Sequence, residues 1–197
     1  RYRQYAQGFR EYLEFHYPVG TGNASIHAID PDTLKFIWLI EPDFYQYSES
    51  GSNQKALYDN TAQNGGGIPD ATMAALFNMI VDTIQAYLPA SQIAIDISPW
   101  ADDQAAWYAN FDLSRVTYAS TSGGRTAATL EKIRAGNKVT WSEIATLLGK
   151  PILADAGYDA GGAGTGYSAI WGVPENLNAR IANGVIGVTQ MDADDFY

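Results

Sequence analysis

The chain of 197 residues contains no cysteine. Disulfides and thiolate metal sites are therefore excluded, while the redox compartment stays open. Basic residues are scarce: 12 Lys and Arg stand against 22 Asp and Glu, a formal net charge of −10. A duplex-binding surface needs clustered Lys and Arg, so no nucleic-acid partner is expected. The two histidines, His16 and His27, lack metal-ligand spacing, which argues against zinc. Long apolar runs are missing too. The run Phe36 to Ile40 has five apolar residues, far short of a membrane span, and no signal peptide is visible, so no membrane partner is expected.

Several chemical signatures are also absent. No G-x-G-x-x-G follows any strand-like run, which weakens a dinucleotide fold, and Gly65-Gly66-Gly67 has no Lys-Ser/Thr behind it, so it is not a P-loop. There is no G-x-S-x-G elbow, and esterase chemistry is unsupported. No cofactor is implied. Asp192-Ala193-Asp194-Asp195 offers oxygen ligands for calcium but lacks the spacing and glycine of an EF-hand loop, and reads as a solvated acidic end. No metal site is expected.

What remains is a chain with 46% hydrophobic and 17% charged residues, long enough for one folded domain over 1–197. Its opening residues already read as helix, as expected of a piece of a longer parent chain. Residues 2–16 place Tyr2, Tyr5, Phe9, Tyr12, Leu13 and His16 at helical spacing. Asp30-Pro31-Asp32 is a turn, and Phe36 to Ile40 a buried strand ended by Glu41-Pro42-Asp43. After a long polar loop, Pro69 and Asp70 start a helix with an apolar stripe from Met73 to Leu88. Further strands start near Ile93, Val116, Ile152 and Val185. Helical patterns separate them: Asp102 to Phe111, Thr126 to Ala135, a capping box at Thr140-Trp141-Ser142-Glu143, and Pro174 to Ala182.

Five apolar runs alternating with helices mean an α/β fold with a parallel sheet of βα units. Acids close three of the strands, which points to a TIM-barrel-like arrangement, here a partial barrel, since a full eight-unit barrel takes about 250 residues. A doubly wound open sheet is the alternative. In either case ligands bind at the carboxyl ends of the strands. Glu41, Asp96 and Asp155 stand there, and whole βα units separate them. Aromatic residues follow these acids: Tyr45 and Tyr47, Trp100 and Trp107, then Tyr158, Tyr167 and Trp171. Glycoside hydrolysis needs two carboxyls, one protonated and one ionised, together with flat apolar faces for sugar rings.

Ile40-Glu41-Pro42-Asp43 is similar to the strand-end Glu-Pro-Asp of family 6 cellulases, and Ile95-Asp96 with Trp100, then Leu153-Ala154-Asp155-Ala156-Gly157, fall in the order of later motifs of that family. The chain thus resembles (β/α)-barrel glycoside hydrolases of the cellulase type. The resemblance implies a secreted, extracellular hydrolase of cellulose or another β-glucan, with Asp155 in the position proposed there as base. The family's proton donor, on a Tyr-Asp motif upstream of this strand, has no counterpart in residues 1–35, and its cysteines are absent. Glu41-Pro42 also matches the Asn-Glu-Pro of retaining barrel enzymes, with Ile at position 40 in place of Asn.

The expected catalytic set is Glu41 as acid and Asp155 as base or nucleophile, with Asp96 in support. Tyr45, Tyr47, Trp100, Trp107, Tyr158, Tyr167 and Trp171 are the expected substrate-binding rings, with Tyr45, Trp100 and Trp171 partly exposed at the mouth. The expected partner is a polysaccharide or oligosaccharide, and an open sheet edge near Phe36 or Val185 invites self-association. The alternative from another class is a non-catalytic carbohydrate-binding or structural protein with a barrel-derived fold. A third reading takes Ser122-Gly123-Gly124-Arg125 as a phosphate cradle, which the net charge opposes.

Overall fold

The computed structural model describes residues 1–19, 28–40, 45, 70–97, 103–121, 128–133, 139–155 and 170–189. Its elements are α1 (Tyr2–His16), β1 (Ile37–Ile40), α2 (Asp70–Tyr87), β2 (Gln92–Ile97), α3 (Gln104–Tyr108), a 3-10 turn (Leu113–Arg115), β3 (Tyr118–Thr121), α4 (Trp141–Leu148), β4 (Ile152–Asp155), α5 (Pro174–Ala182) and β5 (Val185–Thr189). The five strands form one sheet in the order β1-β2-β3-β4-β5, and each neighbouring pair is parallel. The fold is α/β with alternating βα units. Because the order never reverses, the described sheet has no switch point of the doubly wound kind.

Helix signals in the sequence account for several boundaries. Thr140 Oγ1 accepts from Glu143 N and the Glu143 carboxylate accepts from Thr140 N, the reciprocal capping box, while Gly149 ends α4 at φ 60°. Pro174 opens α5 in the first helical turn. Asp103 caps α3 by accepting from Ala106 N. Asp30 makes its turn by accepting from Asp32 N at 2.9 Å.

The helix expected from Thr126 to Ala135 is corrected over residues 128–133, which are turn and bridge. Lys132 pairs antiparallel with Thr140, Ile133 N donates to Val139 O, and Trp141 N donates to Glu131 O. These non-local bonds, with Ala128 and Ile133 buried in the core, override a local run of good helix formers. Residues 28–30 carry no strand and lead into the turn at Asp30.

The single apolar face expected of α1 is also corrected. Ala6 and Leu13 are buried and Phe9 packs edge-on against Phe36, whereas Tyr5, Tyr12 and Phe15 face solvent. The guanidinium of Arg10 fixes α1 to its neighbours. It donates to Tyr87 O at the end of α2 and to Asp32, a cation at a helix C-terminus.

Ladder register sorts the strand residues onto two faces. Ile40, Ile93, Ile95, Ile97, Ala119, Ile152, Ala154 and Val185 pack with α2, α3 and α4 residues such as Phe77, Val81, Trp107, Trp141 and Ile144 in one core. That face is the helix layer. The opposite face carries Ala94, Asp96, Ser120, Leu153 and Asp155, all buried, with Ile37 and Leu39 of β1 exposed. No helix among the described residues is long and apolar enough to cross a membrane.

Candidate functional site

Register brings two of the three expected acids to one face. Asp96 pairs with Ser120, Ser120 pairs with Leu153, and Asp155 lies two residues beyond Leu153 on β4. Side chains alternate along a strand, so Asp96, Ser120, Leu153 and Asp155 share the face away from the helices. Thr189 joins them as the ladder partner of Asp155, after a bulge between Ile152 and Leu153 resets the phase with β5. From Asp96 to Asp155 there are two strand spacings across and one two-residue step along, roughly 9.5 Å and 6.6 Å between Cα positions.

Side chains pin the backbone of both acids. Gln92 N donates to Phe36 O, so even-numbered residues of β2 exchange hydrogen bonds with β1. The hydroxyl of buried Tyr108, on α3, donates to the carbonyl of Asp96 at 2.8 Å. On β4, Asp155 N donates to Thr121 Oγ1 at 2.7 Å, just where ladder pairing between β3 and β4 ends. Both acids are therefore held by more than the sheet.

Asp96 is 6% exposed and Asp155 3%. Asp155 is thus buried although Ala156-Gly157 and further glycines follow it in the sequence. Glu41, Tyr47, Trp100, Tyr158 and Tyr167 lie outside the described residues, as do Ser122 to Arg125 and Asp192 to Asp195. Tyr45 is half-buried, edge-on to Trp107 at 5.3 Å between ring centroids. Trp107 and Trp171 are buried in the core, Trp171 edge-on to Trp141 at 5.7 Å. The expectation of a partly exposed ring is corrected for Trp171, and Trp107 offers no open face either, because each ring fills the layer between helix and sheet.

No family model, characterised protein or solved structure matches the chain. Chemistry must therefore be read from the residues. Among the described residues no three metal-binding side chains cluster, so the two acids form no cation cage there. Ser120 and Thr189 add hydroxyls to the same face, and their long contacts to Ile95 O and Ala154 O, both at 3.4 Å, leave capacity for further hydrogen bonds. The acidic face thus combines carboxyls and hydroxyls, the groups that engage neutral polyhydroxy ligands. Sequence reasoning singled out the acids and missed Ser120, Thr121, Thr189 and Tyr108. Strand-end Ser and Thr were visible signals, but the bond from Tyr108 to Asp96 spans two elements and required the coordinates.

Proposed function

We propose that the chain is a glycoside hydrolase of a β-linked polysaccharide, built on a partial (β/α)-barrel. One observation carries the reading: two buried acids, Asp96 and Asp155, share the non-helical face at the carboxyl ends of a sequentially ordered parallel sheet. In barrels that face is the interior and that end is the mouth where chemistry occurs. Glu41 follows Ile40, the last residue of β1, and joins the set through the sequence alone.

One carboxyl protonates the leaving glycosidic oxygen, and the other acts as nucleophile or draws a proton from water. Glu41 as acid and Asp155 as base form the leading pair, with Asp96 in support. A polymeric glycan makes this a secreted, extracellular activity, with the polysaccharide as the partner.

Release of reducing ends from a soluble β-glucan tests the reading. Glu41→Gln and Asp155→Asn should each lower turnover by at least about a hundredfold, and Asp96→Asn by less. Full activity in Glu41→Gln, or no hydrolysis by the parent chain on any β-glucan, would remove it. The burial of Trp107 and Trp171 favours a second reading, a non-catalytic protein with a barrel-derived fold. A folded chain that neither cleaves nor retains a β-glucan would select that one.

A further inference from the structure

Arg180 on α5 is only 5% exposed, and neither its Nε nor its Nη1 has a hydrogen-bond partner among the described residues. Arginine is almost never buried unless paired. Its guanidinium cannot shed a proton as a buried lysine can, so the charge itself calls for an anion. Glu131 attracts it, but Glu131 is an exposed residue and bonds neither nitrogen. Asn183 Oδ1, also buried without a partner among the described residues, is neutral and cannot offset a charge.

Two more buried donors stand in the same seam. Trp141 Nε1 and Trp171 Nε1 are unpaired among the described residues, and their rings meet edge-on at 5.7 Å between centroids. α4 and α5 run parallel, because each joins the end of one parallel strand to the start of the next. A Cβ at Gly184 would lie 3.0 Å from the Cβ of Ala145, which fixes how the two helices are staggered. One turn back from that contact stand Trp141 on α4 and Arg180 on α5. Side chains lean toward the N-terminus of their helix, which carries the guanidinium toward Trp171 and the segment 128–133. That segment meets Trp141 directly, through the bond from Trp141 N to Glu131 O.

We propose that the seam between α4 and α5 binds a small oxyanion, a phosphate or carboxylate group held by Arg180 and the indole N–H groups of Trp141 and Trp171. Such a group has several acceptor oxygens, so one ligand can meet the guanidinium and both indoles. A neutral sugar hydroxyl would leave the buried charge unmatched. The formal charge of −10 opposes an anion only over distance and is screened beyond about 8 Å at physiological salt, whereas Arg180 acts at contact. The seam lies in the helix layer, across the sheet from Asp96 and Asp155, so the site stands independently of the hydrolase reading.

Titration of the folded 197-residue chain with inorganic phosphate at constant ionic strength tests the proposal, read by indole fluorescence and by thermal unfolding. The expected result is saturable binding with a dissociation constant below about 1 mM, and a melting temperature raised by roughly 3–6 °C at a tenfold excess over it. Arg180→Met should weaken binding at least tenfold while melting no lower than the parent in phosphate-free chloride buffer. Trp171→Phe keeps a ring and removes the N–H, so it should weaken binding at least about threefold in a chain that circular dichroism shows to be folded. Glucuronate in place of phosphate separates the two sources of the group. Saturation by glucuronate alone assigns the site to a sugar carboxylate, and saturation by phosphate alone to a phosphate. No saturable response to either up to about 20 mM overturns the proposal. So does a response as strong in Arg180→Met and Trp171→Phe as in the parent, which would place the anion elsewhere.

Discussion

Tyr108→Phe isolates the bond that ties a helix to a candidate catalytic strand. The change removes one oxygen and keeps the ring, so the packing of Tyr108 near Phe111, 6.4 Å between centroids, is preserved. The hydroxyl donates at 2.8 Å to the carbonyl of Asp96, and both residues are buried. Water cannot replace the donor easily at a buried carbonyl. Loss of a donor to a buried carbonyl costs about 1–3 kcal/mol. For a chain of this size that lowers the melting temperature by roughly 3–9 °C. Thermal unfolding followed by circular dichroism reads it, with Tyr5→Phe on an exposed ring as the control that should not move. Urea unfolding should show a lower midpoint at an unchanged slope. A Tyr108→Phe protein within about 0.5 kcal/mol of the parent would refute the reasoning, because the carbonyl of Asp96 would then be satisfied without Tyr108.

Gly184 turns from α5 into β5 at φ 97°, and a Cβ there would lie 3.0 Å from the Cβ of Ala145. Gly184→Ala should therefore destabilise by about 1–3 kcal/mol in urea titrations, from strain and crowding together. Hydrogen bonds from Thr140 Oγ1 and Thr140 N hold the Glu143 carboxyl below its ordinary range. Its folded pKa lies under its unfolded one, so this contribution is present above about pH 4.3 and is lost as pH falls through the folded pKa. The urea midpoint should drop on acidification from pH 5 toward pH 3, and less steeply in Thr140→Ala. Arg180 is buried, desolvation pushes its guanidinium down, and neither Nε nor Nη1 finds a hydrogen-bond partner among the described residues. Arg180→Met should melt no lower than the parent, whereas a drop of more than about 2 kcal/mol would reveal an acceptor these residues do not include.

Much of the scaffold was legible because local and tertiary preferences agree. The capping box at Thr140 to Glu143, the stop at Gly149 and the apolar stripe of α2 each follow from residue type and spacing, and the strand starts fell close to where short apolar runs predicted them. The segment 128–133 failed for the opposite reason. Its letters favour helix, but a bridge between Lys132 and Thr140 and the burial of Ile133 win. Exposure of aromatic residues was not legible either. Trp171 reads the same whether it lines a mouth or fills a layer, and its packing against Trp141 decides. The division of α1 into two stripes was hidden because Tyr and Phe serve equally as core and as surface.

The alignment of Asp96 with Asp155 shows where sequence reasoning had to stop. Whole βα units separate them, so the spacing of letters says nothing about which face each occupies. Parity along β2, β3 and β4 does, and a register slip of one residue on β4 would have sent Asp155 into the helix layer. Their burial then sets two explanations against each other on energy. A structural acid at such a site is kept because its partners need it, and Asn in its place loses several kcal/mol. A catalytic acid is kept in spite of its desolvation cost, and Asn in its place leaves the fold equally or more stable while turnover falls. Asp96→Asn and Asp155→Asn therefore carry information in two readouts at once. Lower stability with no activity to lose in the parent would make the pair structural. Unchanged or higher stability with lost turnover would make the face a catalytic one, and Tyr108 and Thr121 would become the residues that hold it in place.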